Sequence, residues 1–193
     1  MDTPPFDPSK AVRFDLVRGQ VRHGDSAPDV LVPATTLVKL CELAGADATN
    51  AAGRALGEPI GRRVASRLRR TVGDARGASV EAFVDHLGGE LTLAGVGSLG
   101  AERWGRALVL VVDHCPLGAG GDGLVASLLG AAISAATGTE ARCLLLARDD
   151  VRARFLVTGA AGADKVSSWL GSGVSWGEAL VRLHGPKATG EVA

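Results

Sequence analysis

Between Asn50 and Val72 two stripes run side by side at four-residue spacing: Leu56, Ile60, Val64 and Leu68 in one, Gly53, Gly57, Gly61 and Ala65 in the other. Four-residue spacing follows one face of an α-helix, so the segment predicts a helix with an apolar edge and a bare edge beside it. Glycine in a helix interior costs up to about 1 kcal/mol relative to alanine. A row of three is therefore expected where a neighbouring element must approach closely. Pro59 interrupts the row, and predicts either a kink in one long helix or the first turn of a second helix starting near Glu58.

Composition points the same way. The 193 residues include 27 Gly but no Tyr, four Phe and three Trp. A core with so few rings depends on aliphatic packing and close backbone contact. No tyrosine is present to act as acid, base or radical site. Trp104, Trp169 and Trp176 are too far apart in sequence to form a base-stacking strip. The 21 basic and 21 acidic side chains cancel, which gives no overall pull toward nucleic acid or an anionic membrane. Cys41, Cys115 and Cys143 form no CxxC pair and no Cys/His cluster, so neither a disulfide framework nor a bound metal is expected, and a reducing cytoplasm is the expected setting. The start, MDTPPFDPSK, has two early acids and three prolines where a signal peptide needs a basic patch and an apolar run. The most apolar stretch, Leu124 to Ala136, falls short of the roughly 20 residues that cross a bilayer, and reads as a buried helix.

Periodicity divides the chain further. Residues 1–30 form a lead-in, in which Val12 to Val21 alternates like a strand or hairpin arm. Leu37, Leu40, Cys41 and Ala44 predict a helix over Ala34 to Ala44, stopped by Gly45. Ser79 is placed to cap a helix over Val80 to Leu93, which Gly95 and Gly97 break before a short extended piece at Ser98 and Leu99. Ala107 to Val112 is a continuous aliphatic run, the pattern of a central strand. Asp122 is read as the cap of an apolar helix, Leu124 to Thr137, that Gly138 ends. Ala141 to Ala147 and Arg152 to Val157 read as strands joined only by Arg148, Asp149 and Asp150, and so short a link requires an antiparallel hairpin. The expected fold is α/β with an antiparallel sheet of about four strands flanked by helices, a domain over residues 31–160 followed by an amphipathic tail over 161–193.

Four features carry chemistry. Arg62, Arg63, Arg67, Arg69, Arg70 and Arg76 form a local basic run, either a solvated helix face or a docking face for an acidic partner. Gly118, Gly120 and Gly123 spell G-x-G-x-x-G between a strand and a helix, the signature of a dinucleotide site. That fingerprint wraps directly off the strand, whereas here Asp113 to Leu117 intervene, and a hairpin rather than a second βαβ unit follows. His114 and Cys115, with Asp113 before them, are the best reactive groups, but side chains adjacent in sequence diverge and make poor catalytic partners. Trp169 and Trp176, seven residues apart, would share one helix face, as core or as an anchor for a partner.

The order of these elements resembles the 4-vinyl reductase domain, a small-molecule-binding α/β module related to the smaller subunits of the TRAPP vesicle-tethering complex. The likeness rests on Leu56-Gly57 with Gly61, on Leu93-Ala94-Gly95-Val96-Gly97, on Val111 to Leu117, and on Leu124 to Gly138 with Ala153-Arg154-Phe155-Leu156-Val157. It covers most of residues 35–158. Family members carry a cysteine-rich ending that in phenol-sensing members helps bind zinc. Here Ala153 stands where the last cysteine is expected, Gly123 stands near the cysteine that opens the helix, and Glu140 and Cys143 come too early to be the family's Glu-x-x-Cys pair. The resemblance therefore implies a bacterial-type ligand-binding or signalling module without the family's metal.

The function expected from these features is a non-catalytic, homodimeric module that binds an apolar small molecule or scaffolds a partner protein, with no cofactor, no membrane span and no nucleic acid. Trp104, His114, Cys115, Leu124 and Leu128 are the expected cavity residues. Arg62, Arg63, Arg67, Arg70, Trp169 and Trp176 are the expected partner surface. The alternatives are a TRAPP-like scaffold without ligand, and an enzyme that binds a nucleotide at the Gly118/Gly120/Gly123 loop.

Overall fold

The glycine row lies against the backbone of a second helix. A Cβ on Gly53 would stand 2.6 Å from the carbonyl oxygen of Leu124, and on Gly57 and Gly61 it would overlap the carbonyls of Leu128 and Ala132. The row's partners thus also recur every four residues, so the two helices meet ridge to groove at a separation that only glycine permits. The computed structural model describes residues 6–7, 11–23, 28–72 and 77–185.

The row belongs to α2 (Ala46–Val72), which runs unbroken through Pro59. Contacts with the second helix at Gly53 and Gly57 on one side of the proline and at Gly61 on the other hold the two halves in one helix. Before it come β1 (Val12–Asp15), β2 (Gln20–His23) and β3 (Pro28–Asp29), a small antiparallel sheet, and α1 (Ala34–Ala44). Gly45, at φ +81, makes the corner between α1 and α2. The predicted hairpin arm is thus the first two strands of this sheet.

In α3 (Val80–Leu93) the Ser79 hydroxyl accepts from the Ala82 amide, as the sequence predicts. The main sheet contains β4 (Ser98–Trp104), β5 (Ala107–Asp113), β6 (Arg142–Arg148) and β7 (Arg152–Thr158), in the order β4-β5-β7-β6 and antiparallel throughout. β4 is far longer than the two residues expected. It is an edge strand with mostly exposed side chains, so hydrophobic alternation says little about it.

After one turn of 3₁₀ helix (Ala119–Gly121), α4 (Asp122–Thr137) is the second helix of the glycine contact. Asp122 is its first residue rather than its cap. Together with the 3₁₀ turn it is long and apolar enough to cross a membrane, yet Leu124, Val125, Leu128, Leu129 and Ala132 are buried in the core. The main core joins α2, α3 and α4 to one sheet face around Phe155, which pairs with Leu110 on β5 and Leu145 on β6 and is fully buried.

The predicted tail forms two helices, α5 (Ala160–Gly171) and α6 (Trp176–His184). They cover the other sheet face, where Val166, Ala179 and Leu180 meet Val109, Leu146 and Leu156. Coverage on both faces explains the continuous aliphatic run of β5.

Candidate functional site

An opening beside α4 lies on the side of the helix that turns away from the core. It is a groove of about 920 Å³, floored by Ala126, Gly130, Ala131 and Ala135 of α4. One wall is α2, with Asn50, Arg54, Glu58 and Arg62; the other is β6 and α5, with Arg142, Leu144, Asp164 and Ser167. Small side chains make the floor. At Gly130 the helix comes down onto β6, where a Cβ would stand 3.2 Å from the Ala141 carbonyl oxygen. Ser134 fastens the same contact, accepting from the Ala141 amide at 2.9 Å. Ser127 donates to Asn50 at 2.8 Å and links the floor to the α2 wall. The walls carry mixed charge, with Glu58 and Arg62 3.5 Å apart and Arg142 3.8 Å from both Glu140 and Asp164.

At one end of the groove Arg148 holds Asp122. Its Nε donates to both carboxylate oxygens, at 2.9 and 2.8 Å, and its Nη2 also reaches Oδ1. A β-bulge between Leu145 and Ala147 makes this contact reachable. Residues alternate faces along a strand, which would send Arg148 to the α5 side with Leu144 and Leu146; the extra residue re-aims it to the α4 side, opposite Ala153. The ion pair raises the Arg148 guanidinium pKa still further, first through the hydrogen bonds to Asp122.

The expected cavity residues do not converge. Leu124 and Leu128 are buried between α2 and the sheet, in a seam filled by Leu110, Val112, Leu129 and Phe155. Trp104 and His114 lie at opposite ends of the β4–β5 ladder, since Trp104 pairs with Ala107 and His114 follows Asp113. Trp104 meets Trp176 edge to face, with ring centroids 4.7 Å apart. His114 is exposed and takes a left-handed backbone at φ 56, its amide donating to the Val151 carbonyl at 2.7 Å. Cys115 points toward the core, and burial pushes its thiol pKa up, away from the reactive thiolate. Asp113 is held by Arg152 at 2.7 Å, which keeps its carboxyl below the usual carboxylate range. It is therefore not poised to serve His114 as a base.

The arginine run also divides. Arg63 and Arg67 turn inward to Glu90, whose side chain is fully buried, so they form part of an internal ion network and not a docking face. Arg62 lines the groove, Arg69 and Arg70 are exposed, and Arg76 lies outside the described residues. Trp169 and Trp176 sit on different helices and pack on the sheet, contrary to the expectation of one shared helix face.

The glycine motif lacks its setting. The strands beside β5 are antiparallel, and the Gly118–Gly121 segment is a tight turn whose Gly120 abuts Val38 of α1. Asp122, in the first turn of α4, puts a carboxylate beside the helix start where a pyrophosphate would have to bind.

The residues at the positions where the resembled family carries its cysteines do not suit a zinc ion. Ala153 is fully buried opposite Arg148, Gly123 is an exposed glycine, and among the described residues no three His, Cys, Asp or Glu side chains gather closely enough to hold a metal.

These elements define an α/β fold in which a four-stranded antiparallel sheet is covered by helices on both faces. The chain is similar to the crystal structure of the phenol-responsive sensory domain of the transcription activator PoxR with phenol, at a TM-score of 0.57 and 17% sequence identity over 93% of this chain and 94% of that one. No family model and no curated protein matches the chain. The shared feature is the fold.

Proposed function

We propose that this protein is a non-catalytic regulatory module that takes a small, weakly polar molecule in the groove over α4, acts as a homodimer and passes its state to a partner protein. The fold carries the reading: it is shared over nearly the whole chain with a domain that responds to phenol. The 4-vinyl reductase resemblance belongs to the same proposal. The groove floor of alanine and glycine suits an apolar or aromatic body, and Arg54, Arg62, Arg142 and Asp164 can orient one polar group.

A second copy is the natural cover for the amino-terminal sheet. Phe14 on β1, Leu16 and Val17 in the turn after it, and Val30 and Leu31 just after β3, are each at least 66% exposed, more apolar surface than a small three-stranded sheet usually leaves to water. The filled seam between α4 and the sheet favours a second reading, a TRAPP-like scaffold without ligand.

Native mass spectrometry of the gently purified chain separates the two. A dimer carrying a small molecule, lost in Ser167→Trp, which obstructs the groove from the exposed face of α5, supports the sensor. A dimer that stays empty and does not take up phenol or related aromatics supports the scaffold. A monomer would contradict both.

A further inference from the structure

The acids around the groove over α4 are each matched within the protein. Glu58 is held by Arg62 at 3.5 Å, and Asp122 by Arg148. On the far wall Arg142 carries two acids, Glu140 and Asp164, each at 3.8 Å. A smaller hollow of about 290 Å³ at the α1–α2 corner shares Asn50 and Gly123 with the groove, and its acid, Glu42, is held by Lys39 at 3.2 Å.

Arg54 is the exception among the groove's cations. It lines the groove from α2, and among the described residues it makes no hydrogen bond and no ion pair. Glu58, one turn further along, pairs with Arg62 instead. Asn50 stands one turn before Arg54 on the same helix face. The Ser127 hydroxyl donates to Oδ1 of Asn50 at 2.8 Å, which leaves Nδ2 as a donor without an acceptor among the described residues. Two unmatched donors, one of them charged, thus stand together where the close contact at Gly53 brings α2 against Ser127 of α4. The uncharged floor at Ala126, Gly130 and Ala131 begins beside them.

We propose that the molecule this groove takes is a small monocarboxylic acid, its carboxylate received by the Arg54 guanidinium and the Asn50 amide and its apolar body laid along the floor toward Ala135. The inference rests on the reading of the groove as a small-molecule site. A carboxylate has two oxygens and a full charge, so it can use both donors, and charge-assisted bonds to a guanidinium are the strong ones. A phenol or alcohol has one oxygen and no full charge, and leaves one donor unmatched. From Ala126 to Ala135 α4 rises about 13 Å, room for a phenyl ring on a short chain. Arg54 is exposed, so salt screens its attraction and the affinity for the acid should fall as ionic strength rises.

The test is titration of the full chain at pH 7 with matched acids and amides, phenylacetate, 3-phenylpropionate and hexanoate each against its neutral amide, read as backbone chemical shifts at Ala131 and Ser134. At least one acid should bind about tenfold or more tightly than its amide, the margin of a hydrogen bond to a charged group. Arg54→Gln should bring that acid down to the level of its amide and leave the amide unchanged; the arginine ties down nothing else, so the variant should fold. Asn50→Asp keeps the acceptor for Ser127 and should weaken the acids while sparing the amides. Amides that bind as tightly as their acids, or an acid preference that survives Arg54→Gln, would overturn the carboxylate assignment and leave the groove reading intact. If no compound shifts these residues, the groove reading falls and this inference with it.

Discussion

Arg148 on β6 and Asp122 at the start of α4 are 26 residues apart in sequence and form a two-pronged ion pair, with side chains only 16% and 11% exposed. The pair fixes the end of the groove and ties the apolar helix to the sheet. Removing one partner leaves the other charge poorly solvated, so Asp122→Ala or Arg148→Ala should each cost roughly 3 kcal/mol in chemical denaturation. The double variant should cost clearly less than the sum of the two. Additive losses would show that the pair contributes nothing as a pair.

Glycine replacement should change sign with position. Gly57→Ala and Gly61→Ala each gain about 1 kcal/mol of helix propensity, yet they drive a methyl group into the carbonyls of Leu128 and Ala132, so both should destabilise by about 1–3 kcal/mol net. Gly177→Ala in α6 meets nothing within 4 Å and should stabilise by up to about 1 kcal/mol. Thermal melts of the three variants check the contrast. A neutral or stabilising Gly57→Ala would mean that α2 and α4 do not touch as described.

Burial pushes the Cys143 thiol up to about 12. At pH 8 only about one molecule in ten thousand would carry the thiolate, so alkylation of the native protein should modify Cys143 orders of magnitude more slowly than an unhindered thiol. Peptide mapping by mass spectrometry after timed iodoacetamide exposure reads this directly. Cys143 lies along the β6 wall of the groove, so rapid modification would mean that its thiol is open to water there and not held back by burial.

Much of the fold is legible because it is local. The boundaries of α1 and α3, the cap at Ser79 and the β6–β7 hairpin follow from spacing and turn length alone. The glycine row announced a close neighbour without saying which. What escaped the sequence is what depends on distant pairing. Edge strand β4 has no alternating pattern to betray it, and two inward arginines look like any solvated ones until Glu90 is placed beneath them. The candidate site was the least legible part. The residues chosen for chemistry or size, Trp104, His114, Leu124 and Leu128, are scattered by the topology, whereas the groove floor is made by Ala126, Gly130, Ala131 and Ala135, which carry no motif. A one-residue bulge that re-aims Arg148 leaves no mark in the sequence either.

The central claim is that the groove over α4 holds a small molecule. Titration of isotope-labelled protein with a panel of small apolar and aromatic compounds, read as backbone chemical-shift changes, tests it most directly. The account predicts saturable shifts centred on Ala131, Ser134, Leu144 and Ser167, and their loss in Ser167→Trp. Saturable shifts centred elsewhere, or none with any compound, would contradict it.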